Sequence, residues 1–406
     1  MKLSFYDPGP PPKNDYLTIM YFKELIKFCA DNNIPVESIP DLDVRKSTVI
    51  LNSHWLTAGA ITKLKENGNT IISFDINDNT GFTGVIPDDE IMGIDLIFKV
   101  AGIQKTTDSY EFMVDDDLNY YREKQPFLGG NHAKYFEVVN SGKVRPLPHV
   151  VWNPVIVEKV AWADRKRLAL VRGGHHYQRV HLLFQLLSKR LADHSSMFPG
   201  SMYVHQYCDG CKQAFKDHGG IKYSNLTDTP CRMKNWVGGF TGNGTWNNQC
   251  IPRYLDLAKK FQDRHGGLDF DMVEKAFDGR FANNWLNSIL SRYVFYADVK
   301  WIFSIYAPPR FWEGAGARTV NLLPERLNDQ EQFPKIEDGV HYLTYREDFS
   351  NIQEVMETFT EERFEYITNN CFELYDKWIR PVRYKSSESL LQYIVHEIRG
   401  LNESAF

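Results

Sequence analysis

The segment Arg167-Leu168-Ala169-Leu170-Val171-Arg172-Gly173-Gly174-His175-His176-Tyr177-Gln178-Arg179 passes from an apolar run through a glycine pair into a helical pattern. Arg167–Val171 predicts a strand and Gly173-Gly174 a tight turn, and Val180, Leu183, Phe184, Leu187 and Leu191 recur on one face of the helix that follows. A strand that enters a helix through a short turn is half of a βαβ unit, the element of a parallel sheet covered by helices. The same unit recurs on both sides of this segment.

Toward the amino terminus, Lys2–Tyr6 predicts a strand, Asp7–Asp15 a proline-rich loop, and Ile19, Phe22, Leu25, Ile26 and Cys29 a helix closed by Asn32-Asn33. Short β runs follow at Val36–Ile39, Ser47–Leu51, Asn69–Phe74 and Ile94–Val100, with a helical stretch over Ala58–Glu66. Such alternation predicts a doubly wound sheet, whose ligands gather at the carboxyl ends of its strands, here the loops opening at Asp7, Asn52 and Asp75. Between Phe127 and Pro154 the pattern dissolves into Gly, Pro and single apolar residues, which marks an interdomain hinge.

Beyond the quoted segment, strands are expected at Met202–Gln206, Val299–Tyr306, Thr319–Leu323 and Val340–Leu343. Helices are expected near Asn284–Tyr296 and from Ile352 on, where Ser350 and Gln353 offer a capping box. The tail residues Leu390, Leu391, Ile394, Val395, Ile398 and Leu401 form an apolar helix face that must bury against one of the domains. The expected architecture is α/β, with a Rossmann-like domain over 1–154, a second over 155–385, and a terminal amphipathic helix over 386–406 packing across.

Composition excludes several classes. With 406 residues, 43% of them hydrophobic and 24% charged, the chain can fill sizeable cores and is not a disordered segment. A net charge of −5 argues against wholesale coating of nucleic acid. Six cysteines are too sparse for a disulfide scaffold and fit a reducing compartment. No apolar run is long enough to span a bilayer and no secretory pattern opens the chain, so a cytoplasmic protein is expected.

Two tracts suit anionic and hydroxylated ligands. At the glycine pair, backbone amides and a helix amino terminus can receive a phosphate, with Arg172 and Arg179 adding charge; the competing reading is a turn that needs positive φ. In Tyr306-Ala307-Pro308-Pro309-Arg310-Phe311-Trp312-Glu313-Gly314-Ala315-Gly316-Ala317-Arg318-Thr319-Val320, Glu313 can accept two hydrogen bonds from vicinal hydroxyls, while small residues such as Gly314 let backbone approach a ligand. The competing reading pairs Arg310 with Glu313 and uses the small residues for helix–sheet packing.

These residues resemble the GT-B glycosyltransferases of the group-one and spore-maturation type. Arg310–Ala317 looks like their Arg-x-Phe-Glu element, Gly173–Arg179 is similar to their Gly-x(n)-Tyr-x-Arg stretch, and Asp338-Gly339-Val340-His341-Tyr342-Leu343-Thr344-Tyr345 resembles a later strand of the same domain. The matches fall in order across residues 165–380, and the amino-terminal half agrees in layout. The resemblance implies two Rossmann-like domains facing across a cleft and a nucleotide-diphosphate sugar as co-substrate, without a catalytic metal. It places Glu313 on the donor ribose and Arg172, Gly173, Gly174 and Arg310 near the diphosphate. One departure stands out: the fuller Glu-x7-Glu pattern would put its first Glu at Ile305, which cannot bind a sugar hydroxyl.

Acceptor chemistry is expected from the first domain. Asp75 and His54 both follow predicted strands, and either can take the proton of an acceptor hydroxyl; Asp75 also resembles an aspartate often found at that strand end in the related group. Two acceptors compete: a glycan, and a hydroxymethylated base in DNA, as in phage-type enzymes. For DNA, the basic residues Lys159, Arg165, Lys166, Arg167, Arg172, Arg179, Lys189 and Arg190 offer one charged edge.

Cys208-Asp209-Gly210-Cys211, followed by Cys231 and Cys250, has spacing that permits a four-thiolate structural zinc site. Asp115-Asp116-Asp117 reads as a solvated charge run, and Asn225-Leu226-Thr227 and Asn243-Gly244-Thr245 are glycosylation sequons in form only. The function expected is transfer of a hexosyl or pentosyl group from a nucleotide sugar to a hydroxyl. The alternative is a non-catalytic nucleotide- or sugar-binding module with structural zinc.

Overall fold

The computed structural model describes residues 2–7, 19–52, 56–75, 88–100, 102–104, 109–116, 119–126, 132–149, 158–174, 177–193, 195–198, 250–276, 289–299 and 309–403. The first part of the chain contributes β1 (Leu3–Tyr6), β2 (Val36–Ile39), β3 (Thr48–Asn52), β4 (Thr70–Asp75), β5 (Leu96–Lys99), β6 (Ile103–Gln104), the hairpin β7 (Ser109–Asp116) and β8 (Asn119–Pro126), and β9 (Val144–Pro146). Its helices are α1 (Glu24–Asp31), entered through a wider π turn at Ile19–Lys23, α2 (Ala60–Glu66), α3 (Asp88–Ile91) and α4 (His132–Asn140). Six of the strands form one parallel sheet in the order β2-β1-β3-β4-β5-β9.

The second part contributes β10 (Lys166–Gly174), β11 (Ser195–Phe198), β12 (Tyr293–Ala297), β13 (Val320–Pro324), β14 (Gln330–Glu331) and β15 (Leu343–Tyr345). Its helices are α5 (Tyr177–Ser188), α6 (Cys250–His265), α7 (Phe270–Ala276), α8 (Pro309–Gly316), α9 (Ile352–Glu357) and α10 (Glu361–Trp378), and α11 (Glu388–Glu403) ends the described chain. A second parallel sheet runs β11-β10-β12-β13-β15. In both sheets the first strand lies between the second and the third, so the winding reverses there. Each sheet therefore has a switch point where ligands of open α/β folds bind, between β1 and β3 and between β10 and β12.

The strands are apolar on both sides because helices cover both faces. In the first sheet Leu3, Phe5, Ile50, Ile72 and Phe74 join one cluster, while the alternate residues Val49, Leu51, Ile71 and Ile97 join the other. This is the period of two expected of a strand buried twice. The second sheet places Ala169, Val171, Phe295, Ala297, Val320 and Leu322 in one cluster and Leu170, Tyr293 and Tyr296 in another.

Two features tie the parts of the chain together. The β14 segment pairs antiparallel with β6, Gln330 opposite Gln104 and Glu331 opposite Ile103. The apolar face of α11, with Leu390, Leu391, Ile394, Val395 and Ile398, completes the core of the first sheet beside Leu25 and Phe28 of α1, although it follows the second sheet in sequence. Arg145 Nε donates to Glu397 Oε2 at 2.6 Å, and Phe333 stacks on Tyr393 with centroids 4.1 Å apart.

The five strands expected in the amino-terminal half are β1 to β5 to within one or two residues, whereas β6 and the β7–β8 hairpin, which includes Asp115 and Asp116, were not expected. Elsewhere there are corrections. The stretch expected as an irregular hinge contains α4 and β9, because Val138, Val139 and Val144 pack into the first sheet's core. Tyr293–Ala297 is a central strand, not the end of a helix: a short aromatic and β-branched run buried on both faces has no period to separate the two. Gly173 and Gly174 are the last two residues of β10, paired with Met197 and Phe198, so the strand continues through the expected turn. Ser350 and Gln353 do not form a capping box; Asn351 precedes α9, and its side chain accepts from Arg346 N at 2.7 Å. The strand expected at Met202–Gln206 lies outside the described residues, as do residues 300–306 of the strand expected at Val299–Tyr306.

Candidate functional site

At the switch point of the second sheet, β12 ends in Ala297 and delivers Asp298 to the carboxyl edge, where it is only 2% exposed. A carboxylate removed from water this far needs cations and hydrogen bonds around it. Two arginines from two helix amino termini supply them. Arg179, in the first turn of α5, donates through Nε to Asp298 Oδ1 at 2.9 Å, with Nη2 2.8 Å from the same oxygen and 3.2 Å from the Val299 carbonyl. Arg310, in the first turn of α8, donates through Nη1 to Asp298 Oδ2 at 3.3 Å. Tyr345, the last residue of β15, donates its hydroxyl to the Asp298 carbonyl at 3.0 Å.

The two guanidinium groups differ in exposure. The side chain of Arg179 is 4% exposed and that of Arg310 24%. Burial lowers the pKa of Arg179, partly offset by Asp298. Burial also opposes the charge of Arg310, but Asp298 and Glu313 outweigh it and hold the group above its ordinary range. The Arg179–Asp298–Arg310 group by itself carries one net positive charge, which suits an anion, while Glu313 adds a carboxylate one turn along the same helix.

Helix α8 carries Arg310 and, one turn on, Glu313, half-buried and close enough to Arg310 to act on it electrostatically. Pro309 opens the helix, where its missing amide costs nothing. Arg318, at φ 51°, closes the turn into β13, with Thr319 N on the Gly314 carbonyl at 2.9 Å. Gly314 faces the sheet: a Cβ there would lie 2.4 Å from Asn321 Oδ1 and 3.0 Å from Tyr296 Cδ1. The absence of a side chain at 314 thus has a packing reason, and Asn321 Nδ2 donates to the Phe311 carbonyl at 3.0 Å from the same contact.

Several residues singled out from sequence therefore meet at one edge. Arg172, Gly173 and Gly174 end β10 beside β12, and Arg179, Arg310 and Glu313 stand on the helices that start from it. Asp298 was missed. Reading Tyr293-Val294-Phe295-Tyr296-Ala297 as a strand would have placed an aspartate at its carboxyl end, the position where ligand-site residues of such sheets occur.

The first sheet carries a second charged group at its carboxyl edge. Asp75 ends β4 and Lys99 ends β5, and the two are register partners. Lys99 Nζ lies 3.2 Å from Asp75 Oδ2, with side chains 0% and 2% exposed. Lys99 was not singled out, since a lysine after Leu96-Ile97-Phe98 looks like the polar end of a strand.

Among the basic residues grouped as a DNA edge, Arg165 and Arg179 are buried, whereas Lys159, Lys166 and Arg167 are exposed and each has a partner of its own. Arg165 is buried and donates to the carbonyls of Val160 and Tyr293 at 3.1 Å and to Thr319 Oγ1 at 3.3 Å, and burial brings its pKa down to about 10. Lys166 pairs with Asp193, Lys159 with Glu365, and Arg167 lies 5.1 Å from the centroid of the Trp162 ring. Arg165–Arg167 also stand at the amino end of β10, opposite the edge that carries Asp298.

His54, Cys208, Cys211 and Cys231 lie outside the described residues, and Cys250 is the first residue of α6. Among the described residues no group of three or more His, Cys, Asp or Glu side chains could hold a metal ion, and no helix is long and apolar enough to cross a membrane.

No family model matches the chain, and no curated protein matches it in sequence. Solved structures similar to it include the Anabaena protein HepE in complex with UDP and glucose, 7% identical over 98% of this chain and 99% of that one, with a TM-score of 0.46. The pneumococcal O-GlcNAc transferase GtfA, in complex with UDP and GlcNAc, is 11% identical over 89% of this chain and 58% of its own, with a TM-score of 0.38. The β-glucosyltransferase of T4 phage is 12% identical over 93% of this chain and 95% of its own, with a TM-score of 0.36. The chemistry of the site rests on its own residues.

Proposed function

We propose that the chain is a GT-B glycosyltransferase that moves a sugar from a nucleotide-diphosphate sugar to an acceptor hydroxyl. The observation that carries this reading is the excess positive charge of Arg179, Asp298 and Arg310 at the switch point of the second sheet, with a carboxylate, Glu313, one helical turn from Arg310. A nucleotide sugar presents the matching groups: a diphosphate for the cation and a ribose whose hydroxyls Glu313 accepts. The end of β10 at Arg172-Gly173-Gly174 and the amino terminus of α5 face the same ligand in this reading.

In the transfer step the acceptor oxygen bonds to the anomeric carbon as the bond from that carbon to the phosphate oxygen breaks. The leaving diphosphate gains charge, which Arg310 stabilises where it develops. The acceptor proton goes to His54 or Asp75. Because Asp75 is buried against Lys99, the assignment favoured here is His54 as the proton acceptor and Asp75 as the anchor of the acceptor-side edge.

A glycan is the favoured acceptor. A hydroxymethylated base in DNA would call for phosphate contacts from exposed cations near the donor edge, whereas Arg165 is buried and Lys166 and Arg167 stand at the amino end of β10, opposite the edge that carries Asp298. The test is a thermal-shift screen of nucleotide sugars with hexosyl and pentosyl groups, followed by assay of nucleoside diphosphate release with and without glycans or hydroxymethylated duplexes. A stabilising donor and acceptor-dependent release are expected. A stabilising donor that is never turned over would leave a binding module, and no stabilising donor would remove the reading.

A further inference from the structure

Both arginines that touch Asp298 carry the charge a phosphate needs, yet their surroundings separate them. Arg179 directs Nε and Nη2 to Asp298 and Nη2 also to the Val299 carbonyl, and its side chain is almost wholly buried. Arg310 gives one hydrogen bond to Asp298 Oδ2, its sole hydrogen-bond partner among the described residues, and keeps a quarter of its side chain exposed. A guanidinium has five N–H donors, so Arg310 retains donors for a ligand. The Asp298 main chain is itself fixed by Tyr345, which bonds its carbonyl from two strands away.

We infer that Asp298 is a positioning residue: with Arg179 as a buried strut, it holds Arg310 in the orientation that grips the diphosphate of the donor. This rests on the glycosyltransferase reading and adds to it a division of labour. Arg310 touches the ligand, Asp298 aims it, and Arg179 keeps Asp298 from turning. An arginine on a long side chain loses several rotamers when it binds, and fixing one of its nitrogens beforehand reduces that cost.

The experiment measures, by calorimetry, the affinities of the full-length protein for the diphosphates of uridine, guanosine, adenosine and thymidine and for the corresponding nucleosides. For at least one pair the wild type should prefer the diphosphate by about 100-fold, and Arg310→Ala should remove most of that preference. Asp298→Asn should lower the preference about tenfold while nucleoside affinity stays unchanged. In the Arg310→Ala background Asp298→Asn should have no further effect on the preference, because it acts through the missing guanidinium.

Should Asp298→Asn fail to fold, Arg179→Lys tests the same relay. It keeps a charge beside Asp298 but loses the planar fork, and it should also lower the diphosphate preference at constant nucleoside affinity. A folded Asp298→Asn or Arg179→Lys protein with unaltered preference would overturn the inference, as would equal losses for nucleoside and diphosphate or additivity with Arg310→Ala. Absence of any diphosphate preference in the wild type would overturn the functional reading and the inference with it.

Discussion

Gly314 and Asn321 are in direct contact across the helix–sheet boundary, so close that a Cβ on Gly314 would stand 2.4 Å from the Asn321 side-chain oxygen. Alanine favours a helix interior over glycine by about 1 kcal/mol, and on that ground Gly314→Ala should stabilise α8. Packing wins here. The new methyl must displace Asn321, which holds the Phe311 carbonyl, and Tyr296, which fills the core beneath. We expect Gly314→Ala to cost about 1–3 kcal/mol net in chemical denaturation. An unchanged or raised midpoint would show that the contact yields easily.

Asp75 and Lys99 lend themselves to a similar test. Lys99→Met retains the length of the side chain and removes the ammonium that lies against a buried carboxylate, which should cost about 3–5 kcal/mol. Replacing both, as Asp75→Leu with Lys99→Met, should recover most of that loss, because an apolar pair of similar volume removes the desolvation penalty of both charges. Denaturation of the two variants in urea reads the difference. A single Lys99→Met variant within about 1 kcal/mol of wild type would mean that the ion pair does not determine stability there.

The terminal helix follows the second sheet in sequence but completes the core of the first. Ile394 is wholly buried in that core, so Ile394→Ala should cost about 2–5 kcal/mol. The loss should be local: hydrogen exchange should quicken in α1 and β1, which share the cluster, before it does in β12 and β13. Faster exchange confined to the second sheet would contradict the placement of α11.

Much of this was legible in the sequence, and what was not has physical causes. Five of the six strands of the first sheet could be read because each is short, apolar and bounded by turn residues, while β9 is hidden beside prolines, and α11 could be read because its apolar face is continuous from Leu390 to Leu401. Its partner could not be read, since a helix face does not encode which core it completes. Asp298 was hidden because Tyr293–Ala297 has no period that separates a buried strand from a buried helix. Arg310 was paired with Glu313 in the structural alternative because helical spacing is visible in sequence, while its partner Asp298 is brought in by the sheet. Likewise Arg165–Arg167 count as a basic run on paper, and the partners Tyr293, Asp193 and Trp162 become apparent only when the chain is folded.

The position of these residues at the amino end of β10 bears on the acceptor. Lys166→Ala removes an exposed pair with Asp193 and should change stability by less than about 1 kcal/mol, whereas Arg165→Ala removes a buried guanidinium from several acceptors and should cost more than about 2 kcal/mol. Turnover in the Lys166→Ala variant should match wild type, and turnover with a glycan acceptor should vary little between about 50 and 200 mM salt. A steep fall with salt, lessened by Lys166→Ala, would instead indicate DNA.

In the proposed function, the edge formed by Arg310 and Glu313 holds a nucleotide-sugar donor. The most direct test is the calorimetric affinity of wild type and Glu313→Ala for the donor that stabilises the protein most. Glu313→Ala should unfold at the wild-type midpoint and lose about 1.5–3 kcal/mol of donor affinity, the worth of hydrogen bonds to a charged acceptor. Equal donor affinity in a folded Glu313→Ala protein would contradict it.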